Sequence, residues 1–355
     1  MAKRIESIDI FRGIAVLQMI FWQIFDFFSR TDIYEQSSPY FINIFNMPIN
    51  GIGLALFTFA SGASVYISIT GKLKKNIKIK DIILHSTRRY GGYILLSLVF
   101  TTFVFGFNVF YTWKEAVQGI GFAALIAAML ILISRSKWFF AFFGVILAFT
   151  QPFLRAILEN DFIIKNYPLE PVSFGIISNG ISLFLNSTIR GFFSLTHALP
   201  MLLFGVALAA MMAKSNKEQV IRTSFLIGAL MMLVSMIMHS TFNKINVYNW
   251  STAYLIGFAG FSFLLFSLIE YALLKLGKGI ITNFLSLFGK IAVVAYFLHF
   301  IIIYKPLKLL GIESIFNYPV SYLLTIISVA LLYYICKAWL LNKSIILTKI
   351  RLKNK

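Results

Sequence analysis

The sequence predicts an all-α fold, a polytopic membrane bundle of about ten transmembrane helices with both termini cytoplasmic. Three observations predict it. Of 355 residues, 59% are apolar and only 13% are charged. Ordinary soluble domains hold about 45–50% apolar and about 25% charged residues, so a soluble core cannot absorb this surface, and disorder is excluded on the same grounds. Ten segments carry the roughly 20 mostly apolar residues that a membrane helix requires. The basic residues fall unevenly on the two sides of those segments.

The ten segments run over 8–28, 51–70, 90–110, 116–134, 138–157, 192–213, 223–241, 250–274, 283–304 and 319–341. Residues 172–189 are apolar only in patches, broken by Asn179, Asn186 and Ser187, and read as an interfacial or re-entrant piece; the alternative is an eleventh span. The net charge of +19 comes from 32 Lys and Arg against 13 Asp and Glu. With the N-terminus inside, the cytoplasmic segments hold 21 of the basic residues, led by Lys72, Lys74, Lys75, Lys78, Lys80, Arg88 and Arg89, and the outer segments hold 8. That asymmetry orients the chain and leaves no need for a nucleic-acid partner. The first helix does not read as a cleaved signal peptide, because Asp9 and Arg12 interrupt its apolar stretch. No extramembrane stretch is long enough for a separate domain, so residues 1–355 are expected to form one membrane domain with a basic cytoplasmic tail over 342–355. Cys336 is the only cysteine, so no intramolecular disulfide can form.

Ionisable and polar groups within spans are costly and usually face a bundle interior or a wet cavity. They fall into two groups by depth. The inner group is Ser7, Asp9, Arg12, His85, Arg88, Arg89 and Lys290. Clustered cations at the cytoplasmic face suit a phosphate-bearing ligand; the alternative is that Arg88 and Arg89 anchor topology, Arg12 pairs with Asp9 and Lys290 snorkels. The outer group is Gln23, Asp26, His197, His239, Asn243, Lys244 and His299. A histidine there can serve as a general base near neutral pH, or can satisfy a carbonyl and do no more. No pair of histidines has the spacing of a local metal site.

Several local patterns then point one way. Arg4-Ile5-Glu6-Ser7-Ile8-Asp9-Ile10-Phe11-Arg12-Gly13-Ile14-Ala15 resembles the opening of the heparan-alpha-glucosaminide N-acetyltransferase-like family, within the transmembrane acyltransferase superfamily. Phe57-Thr58-Phe59-Ala60-Ser61-Gly62-Ala63-Ser64 resembles its second helix, and Gln118-Gly119-Ile120-Gly121 the start of its fourth. Leu199-Pro200 with Phe204-Gly205, Asn243-Lys244 with Trp250-Ser251-Thr252-Ala253-Tyr254, and Gly289-Lys290 with Tyr296-Phe297-Leu298-His299 continue the resemblance in order along the chain. Where the superfamily commonly places His or Asn, this chain has Gln23, which can hydrogen-bond but cannot act as a base.

The resemblance implies a multi-pass acyltransferase, expected in a prokaryotic plasma membrane. It would move an acyl group, acetyl in this reading, from cytoplasmic acyl-CoA to a sugar or glycolipid amine or hydroxyl near the outer face. Ser7, Asp9, Arg12, Arg88, Arg89 and Lys290 would hold the co-substrate acetyl-CoA. His299, His197, Asp26 and Gln23 would form the catalytic group, and His239, Asn243 and Lys244 would meet the glycan acceptor. Two other readings stay open: a non-catalytic relative that binds acyl-CoA or lipid, and a transporter or flippase of a lipid-linked or anionic solute.

Overall fold

A computed structural model describes residues 5–30, 43–44, 47–106, 116–158, 176–190, 194–241 and 251–353. The described chain is nearly all helical. Its helices are α1 (Glu6–Phe28), α2 (Ile49–Leu73), α3 (Ile79–Phe105), α4 (Ala116–Ile133), α5 (Lys137–Leu158), α6 (Ile176–Leu185) and α7 (Leu195–Met212). They continue as α8 (Lys217–Thr241), α9 (Thr252–Leu276), α10 (Ile280–Lys290), α11 (Ala292–His299), α12 (Lys305–Leu310) and α13 (Tyr318–Lys353). Two strands of two residues each, Asn43–Ile44 and Met47–Pro48, pair between α1 and α2. Among the described residues, nine helical stretches are long and apolar enough to cross a membrane. The helix α3 is not one of the nine; its first half carries Lys80, Asp81, Arg88 and Arg89 and its second half is the apolar stretch expected to span.

Two boundaries differ from those expected. The sequence predicts the ninth span over 283–304, but the chain breaks at Ile291 (φ −123°, ψ 23°), and the membrane-length stretch is Ala292–Leu310. The first piece, α10, is an 11-residue helix with Ile280 and Ile281 largely exposed. The second contains a π-helical turn, Phe300–Tyr304, immediately after His299. In the segment expected to be interfacial or re-entrant, α6 has 10 residues and runs into a 5-residue π-helical turn, Asn186–Arg190. That described stretch is shorter than the roughly 20 residues a spanning helix needs.

The chain forms two compact units. Unit 1 comprises residues 1–8, 44–47 and 54–277. Its centre is α7, buried along nearly its whole length from His197 to Met211. Helices α4, α5 and α9 pack on α7, α8 packs on α9, and α3 packs on α4. The backbones of α2 and α7 meet directly: a Cβ on Gly62 would lie 1.9 Å from the Leu202 carbonyl oxygen, and one on Gly205 would lie 1.9 Å from that of Phe59. Small residues allow this approach, which gains dispersion contacts where lipid offers no hydrophobic drive.

Unit 2 comprises residues 9–43, 48–53 and 278–355. In it α1 and α10 touch backbone to backbone. A Cβ on Gly13 would lie 1.9 Å from the Leu285 carbonyl oxygen, and one on Gly289 would lie 1.7 Å from that of Asp9. Helix α13 closes the unit through aromatic contacts, Phe25 with Tyr318 and Tyr322 on the α1 side and Phe284 with Tyr333 on the α10 side. The basic residues expected to form a tail continue as part of α13 to Lys353.

Candidate functional site

Unit 1 has polar features at both ends of α7. Against Ala209 and Met212, at one end, lies a cavity of about 580 Å³ whose wall includes Lys74, Lys75, Lys217 and Glu270. The two α2-side lysines arrive from the basic connection after α2, and Lys217 starts α8. Glu270 is buried in α9 and accepts a hydrogen bond from the Ser7 hydroxyl, which draws the start of α1 to this wall. Three ammonium groups, one carboxylate and apolar walls suit an amphiphile with an anionic head. Of the expected inner group Ser7 reaches this cavity wall, through Glu270. Arg88 and Arg89 are exposed on α3, where the Arg89 guanidinium lies 5.6 Å from the Tyr90 ring centroid. His85 is exposed on the same helix, and partial burial together with the positive charge of Lys72 and Arg89 holds its imidazole below the ordinary histidine value. Lysines read from the sequence as topology markers therefore line this cavity. Only packing could reveal that, because topology and ligand binding place the same residue type on the same face.

At the other end of α7 is His197, fully buried. Its Nδ1 lies 3.0 Å from Ser194 Oγ, and its Nε2 lies 2.7 Å from Gln151 Nε2. Ser194 Oγ donates to the Ile189 carbonyl at 3.0 Å. One proton arrangement satisfies this chain: Nδ1–H donates to Ser194, and Gln151 donates to the Nε2 lone pair. The histidine thus has an orienting partner on one nitrogen and an exchangeable partner on the other, which is the pattern of an oriented base.

The helix that carries Gln151 is shaped by the next residue. Pro152 lies inside α5 and removes the N–H that would reach the Ala148 carbonyl. The Thr252 hydroxyl, at the start of α9, donates to that carbonyl at 2.9 Å. The sequence gives no sign of Gln151 or Thr252 as site residues, because an isolated glutamine before a proline has no recognisable spacing. Thr252→Val keeps the shape and removes the donor. It is expected to cost about 1–3 kcal/mol through the orphaned carbonyl, read as a lower melting temperature of the detergent-solubilised protein.

Unit 2 places Arg12 at the α1–α10 contact. Its Nη1 donates to the Gly289 carbonyl at 3.0 Å and lies 3.8 Å from Asp9 Oδ1. The guanidinium therefore satisfies a carbonyl at the C-terminal end of α10, where a helix carries partial negative charge. Lys290 was expected two turns into a span; it instead ends α10 and is exposed, because the chain breaks at the next residue.

At the other end of α1, Gln23 and Asp26 are half-buried, and Gln23 Oε1 is a buried acceptor with no hydrogen-bond partner among the described residues. His299 is fully buried among Phe27, Tyr296 and Phe300, with ring centroids 6.0, 5.3 and 4.1 Å away. Neither of its ring nitrogens meets a partner with hydrogen-bond geometry among the described residues, although the carbonyls of Ala295 and Tyr296 are close by. His239 ends α8 half-buried, and Asn243 and Lys244 lie outside the described residues.

The family model described as "Heparan-alpha-glucosaminide N-acetyltransferase, catalytic" matches residues 4–165. Over that segment the chain is similar to the heparan-alpha-glucosaminide N-acetyltransferase-like family. No curated protein matches the chain closely enough to add a named relative. The acetyltransferase-like segment contains Arg12, Gln23, Lys74, Lys75, Gln118 and Gln151, whereas His197, Lys217, Glu270 and His299 follow it. Its opening motif has a physical reading here: Asp9, Arg12 and Gly13 are the residues that hold α1 against α10.

Proposed function

We propose that this protein is a membrane acetyltransferase that takes the acetyl group of cytoplasmic acetyl-CoA and passes it to an amine or hydroxyl of a sugar or glycolipid on the outer side of a plasma membrane. The family match supports acetyl transfer in general. The observation that carries the finer reading lies within unit 1: the lysine-lined cavity and the oriented His197 sit at opposite ends of one buried helix. From His197 to Met212 that helix rises about 22 Å, at about 1.5 Å per residue. This is comparable with an extended pantetheine arm.

In this reading Lys74, Lys75 and Lys217 meet the phosphates, and Glu270 accepts from a ribose hydroxyl or the adenine amine. The acceptor's N–H or O–H takes the place of the Gln151 amide at His197 Nε2. As its nitrogen or oxygen attacks the thioester carbonyl, His197 takes the proton. The C–S bond breaks, and the CoA thiolate recovers that proton as the free thiol.

The test uses sealed vesicles containing the full chain, with labelled acetyl-CoA on the side exposing the loop after α2 and glucosamine on the other. Label should appear in the sugar, and Lys74→Ala/Lys75→Ala/Lys217→Ala should raise the acetyl-CoA KM about 100-fold, at about 1 kcal/mol or more for each lost charge-assisted contact. Gln23, in place of His or Asn, favours a second reading as a non-catalytic acyl-CoA binder. That reading would show saturable acetyl-CoA binding with no labelled sugar.

A further inference from the structure

The contact between α3 and α4 in unit 1 contains polar atoms that nothing in the proposed reaction uses. Helix α3 turns Tyr90, Ile94, Ser97 and Thr101 to one side, at the three- and four-residue spacing that aligns side chains along a helix. That side meets α4: a Cβ on Gly121 would lie 2.8 Å from Ile94 Cγ1 and 3.3 Å from the Tyr90 carbonyl oxygen. Gln118 lies one turn before Gly121 on the same side of α4. Ser97, Thr101 and Gln118 therefore share one interface, and all three are fully buried.

None of their polar atoms has a hydrogen-bond partner among the described residues: Ser97 Oγ, Thr101 Oγ1, and both Oε1 and Nε2 of Gln118. Local helix chemistry does not account for this. Ser86 and Thr102, on the same helix, donate to the carbonyl four residues back at 2.8 and 2.9 Å. Ser97 and Thr101 have the same opportunity and do not take it. A buried amide with neither its donor nor its acceptor satisfied carries the full desolvation penalty of each group. Four such atoms on three fully buried side chains need a compensating partner.

We infer that Ser97, Thr101 and Gln118 form a binding site for a neutral group that both donates and accepts hydrogen bonds, the hydroxyls of the sugar acceptor. Two hydroxyls and one carboxamide offer donors and acceptors together, and Ser97, Thr101 and Gln118 carry no charge that would favour a phosphate. The position agrees. Gln118 and His197 are each the third residue of their helices, and α4 packs on α7. Thr101 lies in the last part of α3 before the connection to α4. The site therefore lies toward the end of unit 1 that carries the proposed base, away from the lysine-lined cavity. This inference rests on the acetyltransferase reading for the identity of the sugar as acceptor, though not for its binding.

Two variants test it in the full-length protein: Gln118→Leu, and the pair Ser97→Ala/Thr101→Val. Both replace orphaned polar groups by apolar ones of similar size, so the ligand-free protein should melt at the same or a higher temperature. The glucosamine KM should rise about 10-fold or more, with about 1.4 kcal/mol per tenfold, while the acetyl-CoA KM stays unchanged. Methyl glucoside, which has hydroxyls and no amine, should raise the melting temperature of the wild type but not of either variant. This readout needs no turnover. If wild type transfers no acetyl group and the sugar shift is still lost in the variants, the site stands and the enzyme reading fails. An unchanged glucosamine KM, an unchanged sugar shift or a lower melting temperature in both variants would overturn the site. A rise confined to the acetyl-CoA KM would assign the cluster to the donor and overturn it equally.

Discussion

Gly289→Ala should leave almost no folded protein. The added methyl would lie 1.7 Å from the Asp9 carbonyl oxygen, with the Asp9 carbonyl carbon at 2.6 Å. Both are backbone atoms of a helix, so no side-chain rotation relieves the overlap. Helices α1 and α10 must separate, which also breaks the Arg12 hydrogen bond to the Gly289 carbonyl. Overpacking typically costs about 1–3 kcal/mol, and this contact lies at or above the upper end because two backbones must move. Gly13→Ala should behave alike, with its methyl 1.9 Å from the Leu285 carbonyl oxygen. Gly91→Ala is the control: it lies in α3 with nothing within 4 Å of the new carbon, and should be neutral or gain up to about 1 kcal/mol from helix propensity. The measurement is the monodisperse fraction after detergent extraction, with the melting temperature of what remains. A Gly289→Ala protein that melts like wild type would remove the α1–α10 contact from the account.

The second large effect concerns His197. Its removal as His197→Ala would delete both the Gln151 and the Ser194 contacts of a fully buried ring and leave a void, so lost activity could reflect lost structure. His197→Gln is the cleaner change, because a glutamine can donate to Ser194 and accept from Gln151 but cannot take a proton. Its expected outcome is a melting temperature near wild type, an unchanged acetyl-CoA KM and a kcat lower by about 10²–10⁴, the usual contribution of a general base. Ser194→Ala should fall between, since it leaves the base in place and removes the group that orients it. Transfer by His197→Gln at the wild-type rate would end the assignment of His197. His299→Gln under the same conditions would then be the decisive variant, because His299 is the other fully buried histidine among the described residues.

Much of the helical framework was legible from hydropathy, because membrane spans must be long and apolar and their backbones must satisfy themselves internally. The break at Ile291 was not. Residues 283–304 are apolar without interruption strong enough to mark a boundary, and the kink follows from packing against Asp9 and from Arg12 reaching the Gly289 carbonyl. The same break explains why Lys290, expected within a span, is exposed. For the candidate site, His197 and Ser7 were visible as polar groups in apolar surroundings. Lys74, Lys75 and Lys217 were visible only as charge. Gln151 and Thr252 gave no signal, since one is a lone amide and the other a common helix start. Gln151 meets His197 because α5 packs on α7, and Thr252 meets the Ala148 carbonyl because α9 lies beside α5 one turn before Pro152.

By itself the amino-acid sequence determined a chain whose 59% apolar content requires a membrane-like environment, and whose first 165 residues resemble an acetyltransferase family. Those properties are local or additive, so they can be read one segment at a time. Only the tertiary structure decided which polar groups find partners. Arg12 is held by Asp9 and Gly289, His197 by Ser194 and Gln151, and Ser97, Thr101 and Gln118 by none among the described residues. Hydrogen-bond satisfaction depends on distances of a few tenths of an ångström between residues remote in sequence, and helix packing sets those distances.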